Sequence, residues 1–154
     1  MKEKMILSKE EMIKWLSAQD YSKMYAITFT MKQRAGAEEL NELEAAKNMR
    51  LFLNSLNQKV YGNAFRRYGK RLYVIPFLEK SAWQRFHYHI SLEKPDRYDE
   101  DDFKALIYDC WLKTKFGHKE IHLQQVYSTR WISYCLKNFD EAKSLDIENL
   151  HIGC

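Results

Sequence analysis

Between Tyr25 and Tyr127 the apolar residues change period in a set order, from every second residue to every third or fourth and back, and this order restricts the fold more than any other feature of the chain. Tyr25, Ile27, Phe29 and Met31 alternate with Ala26, Thr28 and Thr30, which predicts a strand with one apolar face and one small, polar face. From Ala37 to Val60, Leu40, Leu43, Met49, Leu53, Leu56 and Val60 recur at helical spacing among Glu and Lys, and Gly62 offers a helix end. Leu72 to Glu79 and Phe86 to Glu93 read as a β-hairpin. Pro76, which removes one ladder hydrogen bond, marks the first of these as an edge strand. Asp99-Glu-Asp-Asp102 puts acids at the favourable end of a second helix, with Phe103, Leu106, Ile107 and Cys110 as its buried stripe and Gly117 as its stop. His118 to Tyr127 alternates again, Ile121, Leu123 and Gln125 opposing Glu120, His122 and Gln124.

Two further helices flank this pattern. Ser8-Lys-Glu-Glu11 is a capping box ahead of Met12, Ile13, Trp15 and Leu16, and Arg130 to Phe139 carries a stripe of Ile132, Cys135, Leu136 and Phe139. The remainder, through Ile152, has no usable period. The order predicts an α+β chain of the ferredoxin-like or split βαβ kind, an antiparallel sheet with helices on one face and a site on the other. Residues 1–154 read as one domain: a helical extension over 1–24, a core over 25–140 and a tail over 141–154.

A formal charge of +4, with 25 Lys and Arg against 21 Asp and Glu, suits a polyanionic partner without requiring one. Cys110, Cys135 and Cys154 form no Cys-x-x-Cys, so neither a disulfide framework nor a zinc ribbon is expected, and a reducing, cytoplasmic setting is. The first residues break into charge too early for a signal segment, and no apolar run approaches a membrane span. The linker Phe65-Arg-Arg-Tyr-Gly-Lys-Arg71 is basic with aromatics interleaved, and is either a solvated loop or an arm that contacts phosphates through Arg66, Arg67, Lys70 and Arg71.

His87 and His89 stand one residue apart in a predicted strand and therefore share a face. A hairpin turn centred on Trp83 sets Glu79 opposite His87, and two imidazoles with a carboxylate suit a divalent ion such as Mn²⁺ or Mg²⁺, the same set being able to bind Fe²⁺ or Zn²⁺. His122 is a weaker candidate, because its strand is expected a sheet-width away. On the last helix Tyr134 and Lys137 lie away from the apolar stripe, pairing a phenol oxygen with a cation as a phosphoryl-transfer nucleophile requires.

These residues resemble a known family. His87-Tyr88-His89 is similar to the His-hydrophobe-His motif, and Tyr134-Cys-Leu-Lys137 to the Tyr-x-x-Lys motif, of the HUH endonucleases, specifically the single-tyrosine initiators of rolling-circle replication in plasmids and viruses. Ile27-Thr-Phe-Thr30 resembles the family's first motif, and Glu79 stands where its acidic ligand does. The resemblance implies a metal-dependent single-strand DNA nickase and joining enzyme: Glu79, His87 and His89 as metal ligands, Tyr134 as nucleophile, Lys137 beside it, and Thr28, Thr30 and Arg130 among the DNA contacts. It also implies an origin stem-loop as substrate and a homodimer for a second nick. No Walker A motif is present, so unwinding is expected from a host helicase.

Three rivals are weighed. Single-strand transposases of small insertion sequences share the histidines and helix tyrosine but take a ligand from the tyrosine helix, where this chain has Asn138. A cupin-like metal protein would use His87, His89 and Glu93 on a nearly all-strand fold. A nucleic-acid-binding module of the same topology, without chemistry, would leave the histidines and Tyr134 unexplained.

Overall fold

The computed structural model describes residues 8–81, 85–125, 135 and 143–152. These run α1 (Lys9–Ser17), β1 (Met24–Met31), the short strands β2 (Arg34–Ala35) and β3 (Glu38–Glu39), α2 (Glu42–Tyr61), α3 (Asn63–Tyr68), β4 (Val74–Lys80), β5 (Phe86–Glu93), α4 (Glu100–Leu112), β6 (Gly117–Gln125) and β7 (Lys143–Leu145), with a 3₁₀ turn at Ile147–Asn149. The expected α+β class holds, and the all-strand fold of a cupin does not. Among the described residues no helix is long and apolar enough to cross a membrane.

Among the described residues, five strands form one antiparallel sheet in the order β6-β1-β5-β4-β7. Each long strand turns an apolar face toward the helices, and these faces coincide because paired residues point the same way. Tyr25, Ile27 and Phe29 thus join Leu92, Ile90 and Tyr88 of β5 under α2 and α4. At the centre of this layer Phe29, Phe52 of α2 and Trp111 of α4 meet with ring centroids 4.3 to 5.4 Å apart, all three wholly buried. Gly117 starts β6 so close to α4 that a Cβ would lie 2.1 Å from the Trp111 carbonyl oxygen, so no side chain fits there.

Several expectations need correction. The long helix starts at Glu42 rather than Ala37. Gly36, at φ 62°, turns the β2–β3 hairpin, and the Asn41 side chain then caps α2 by accepting the Glu44 N–H at 2.8 Å. Leu43 consequently falls on the solvent side, 64% exposed, and Phe52 takes a core position the stripe had not included. The basic linker is the helix α3, ended by Gly69 in the left-handed region at φ 68°. Pro76 does not mark an edge, because β7 pairs with Phe77, Leu78 and Glu79 on β4's outer side. The proline sits just past that ladder, where its carbonyl accepts the Asp146 N–H at 2.9 Å.

The second face is also not left bare. Leu16 of α1, Tyr21, Met24, Ala26, Ile75, Phe77 and Cys135 form a separate buried cluster on it, flanked by Trp15 and Leu145. The described part of the N-terminal segment therefore packs onto the sheet rather than extending from it. The capping box that starts α1 is present, Glu11 N–H donating to Ser8 Oγ at 3.2 Å. Cys135, expected in an apolar stripe, is buried in this cluster.

Candidate functional site

The part of the second face not covered by the small apolar cluster carries the polar residues of four strands. Alternation places Thr28 and Thr30 of β1, His87 and His89 of β5, Glu79 of β4, and His122 of β6 on that face, and strand pairing aligns them. Thr28 lies between His89 on one side and His122 on the other, while Thr30 and Glu79 flank His87. The hairpin register is the expected one, Glu79 opposite His87. His122 stands two strands from His89, with only β1 between them, nearer than a sheet-width; its side chain is exposed.

Within this array the side chains choose partners that register alone does not specify. Glu79 leans diagonally, its Oε1 3.5 Å from Nε2 of His89, the kind of reach a long side chain has toward the next residue on its partner's face. The other ring nitrogen of His89 lies 3.2 Å from Thr28 Oγ1. His89 is thereby oriented from both sides and is almost fully buried, 5% exposed. His87 is half-buried, and its Nδ1 is buried with no hydrogen-bond partner among the described residues. Two imidazoles and a carboxylate on one face are a donor set that fits a divalent cation, and the buried Nδ1 of His87 is a donor still to be used. As the side chains stand, no three His, Cys, Asp or Glu residues among those described are gathered to hold an ion. Glu79 and His89 are together, and His87 stands on the same face of β5.

Thr28 is the residue whose role the geometry sharpens. Sequence placed it among DNA contacts, whereas its hydroxyl is spent on His89. Thr28→Val should leave the fold intact at a cost of about 0.5–1.5 kcal/mol, the net worth of one such hydrogen bond. It should also shift the His89 imidazole resonances in an NMR titration. Unmoved His89 signals would mean that Thr28 does not orient the ring.

The other expected site residues separate into two groups. Arg66 and Arg67 of α3, with Lys70 and Arg71, lie before the start of β4, while Glu79 lies near its end. Eight residues of extended chain from Arg71 to Glu79 span roughly 25 Å. Arg71 moreover turns to the helix layer, donating to Asn54 Oδ1 of α2 at 3.1 Å and stacking over Phe65. The basic stretch is thus not brought to the histidines. Arg130, Tyr134, Lys137 and Asn138 lie outside the described residues.

Sequence reasoning missed His118. Its Nδ1 lies 3.2 Å from Thr30 Oγ1, beside His87, and alternation from His122 does not by itself place it there, because the β1–β6 register shifts between Phe29 and Met31. Glu93, the ligand a cupin reading would need, accepts the Tyr73 N–H at 2.9 Å at the far end of β5. Compared with protein-family models, with curated proteins and with solved structures, the chain shows no significant match to any of them.

Proposed function

We propose that the chain is a metal-dependent single-stranded DNA endonuclease and ligase of the HUH type, a nickase for a replication origin acting through a 5′-phosphotyrosine intermediate. The observation that carries this reading is the Glu79–His89–Thr28 row, with His87 next to it, on a sheet face otherwise closed by α1 and Cys135. The strand order agrees with it, being that of a ferredoxin-like, split βαβ sheet, β5 lying between β1 and β4. Cys135, the one described residue of the Tyr134-Cys-Leu-Lys137 run, is buried on the histidine side of the sheet.

In this reading Glu79, His87 and His89 would hold a divalent ion, Mn²⁺ or Mg²⁺, which would supply charge neutralisation at the scissile phosphate. The Tyr134 phenol gives up its proton as its oxygen attacks phosphorus, the bond from phosphorus to the 3′ oxygen breaks, and that oxygen takes up a proton and leaves as a free 3′-OH. Lys137 offsets charge on the phosphate. Joining is the reverse, a 3′-OH attacking the phosphotyrosine. With one nucleophile per chain, a second nick requires a second protomer.

The test is incubation of labelled single-stranded origin DNA with Mn²⁺, followed by a denaturing gel. A covalent adduct is expected for the native chain, and His89→Ala or His87→Ala should lower its yield by a factor on the order of 100 while leaving the circular dichroism spectrum unchanged. Adduct at native levels in the double variant, or in excess chelator, would refute the metal assignment.

A further inference from the structure

At the end of the sheet where β1 finishes and β5 begins, a groove of about 460 Å³ is lined by Thr30, Lys32, Arg85, His87, His118 and Glu120, among others. Its frame is held by hydrogen bonds to the backbone, several of them from side chains. Gln33 donates to the Met31 carbonyl at 2.7 Å and accepts the Phe86 N–H at 2.8 Å, fastening the start of β5 to the end of β1. The Ser81 N–H donates to the Arg85 carbonyl at 2.8 Å and the Arg85 N–H returns to Ser81 Oγ at 3.2 Å, closing the strand ends above Phe86. The Lys32 N–H donates to the Phe116 carbonyl at 2.8 Å.

On this frame the two cations are uncommitted. Nearby Arg34 is paired with Glu39 and Lys115 with Glu38, yet among the described residues Lys32 and Arg85, both exposed, have no carboxylate partner. Unpaired cations along a concave wall concentrate a polyanion there. His118 adds a donor. Its Nδ1 accepts the Glu120 N–H at 3.2 Å, while the Thr30 hydroxyl donates to the Glu120 carbonyl at 2.8 Å. A neutral ring that accepts at Nδ1 carries its proton on Nε2, which can donate to an anionic oxygen. The opposing charge in the groove is the carboxylate of Glu120.

We propose that this groove is a phosphate subsite for the DNA strand, in which Lys32 and Arg85 neutralise a phosphodiester next to the one presented at Glu79, His87 and His89, and His118 donates to it. The inference rests on the nickase reading for the identity of the strand. It moves the strand's path from the basic residues of α3 to the end of the sheet where the histidines lie.

The experiment measures binding of fluorescein-labelled oligothymidylate by anisotropy, in chelator, across a range of KCl concentrations. Lys32→Ala and Arg85→Ala should each weaken binding several-fold and reduce the slope of log affinity against log salt by about 0.7, the value for one lost phosphate contact on a single strand. His118→Ala should weaken it less, and Glu120→Gln should tighten it. The paired variant Arg66→Ala/Arg67→Ala should leave affinity and slope near those of the native chain. The proposal is overturned if the Lys32 and Arg85 variants match the native chain, if the α3 variant carries the loss instead, or if the native chain does not bind the probe. A native chain that binds through this groove but forms no adduct with Mn²⁺ would sink the nickase reading and leave the subsite standing. Adduct formation by the native chain, together with native binding by Lys32→Ala and Arg85→Ala, would do the opposite.

Discussion

Tyr134→Phe is expected to abolish the covalent DNA adduct, lowering its rate of formation by a factor on the order of 10⁴ or more, as removal of a nucleophile that acts in concert with its surroundings does. Only the phenolic oxygen is lost, so ring packing and strand affinity should stay within twofold of the native chain. The residues four positions from Tyr134 in the sequence are Arg130 and Asn138, neither of which can replace a phenol as nucleophile. Tyr127 is the nearest other phenol in the sequence on the N-terminal side, and it is expected to pack or stack rather than react. Peptide mapping of the native adduct decides the point: a nucleotide on Tyr127, or an adduct persisting in Tyr134→Phe, means that the nucleophile has been misassigned. Loss of adduct together with loss of strand binding would instead indicate a damaged fold.

Phe29→Ala should have the largest effect on stability, about 3–5 kcal/mol, read as a lower midpoint in urea. The side chain is wholly buried between Phe52 of α2 and Trp111 of α4, so truncation removes two aromatic contacts and leaves a cavity where both helices meet the sheet. Leu51→Ala, on the exposed side of α2 at 61% exposure, is the matched control and should change stability by less than about 0.5 kcal/mol. The site should feel the first change and not the second, because Phe29 is flanked in β1 by Thr28 and Thr30, whose hydroxyls meet His89 and His118. A cost below about 1 kcal/mol for Phe29→Ala would mean that the helices are not anchored through this residue.

The C-terminal segment shows why part of the fold stayed out of reach of sequence reasoning. Residues 143–145 form a strand too short to display a period, and the segment is held by contacts distant in sequence. The Tyr88 hydroxyl donates to Asp146 Oδ2 at 2.8 Å, burial and that carboxylate keeping the phenol protonated by raising its pKa, and Asn149 donates to the Ala46 carbonyl at 3.0 Å. No local pattern encodes such partners. The β2–β3 hairpin was likewise hidden, its two-residue strands lying inside a stretch whose leucines fit a helix; Gly36 and Asn41 were the informative residues there.

The strand faces and the hairpin register were determined by the sequence alone. Phe86–Glu93 is a strand over the expected residues, His87 and His89 share its face, and Glu79 stands opposite His87, because alternation and turn length are local properties that act between near neighbours. Which residues came to share the site was decided by the tertiary structure. The pairing of β1 with both β5 and β6 brought Thr28 to His89 and His118 to Thr30, and α1 closed the remainder of the second face through Leu16. The basic stretch after α2 was carried to the other end of β4, away from Glu79. Such placements follow from the burial gained by packing whole elements against one another, a sum over residues far apart in the chain that no single segment's period contains.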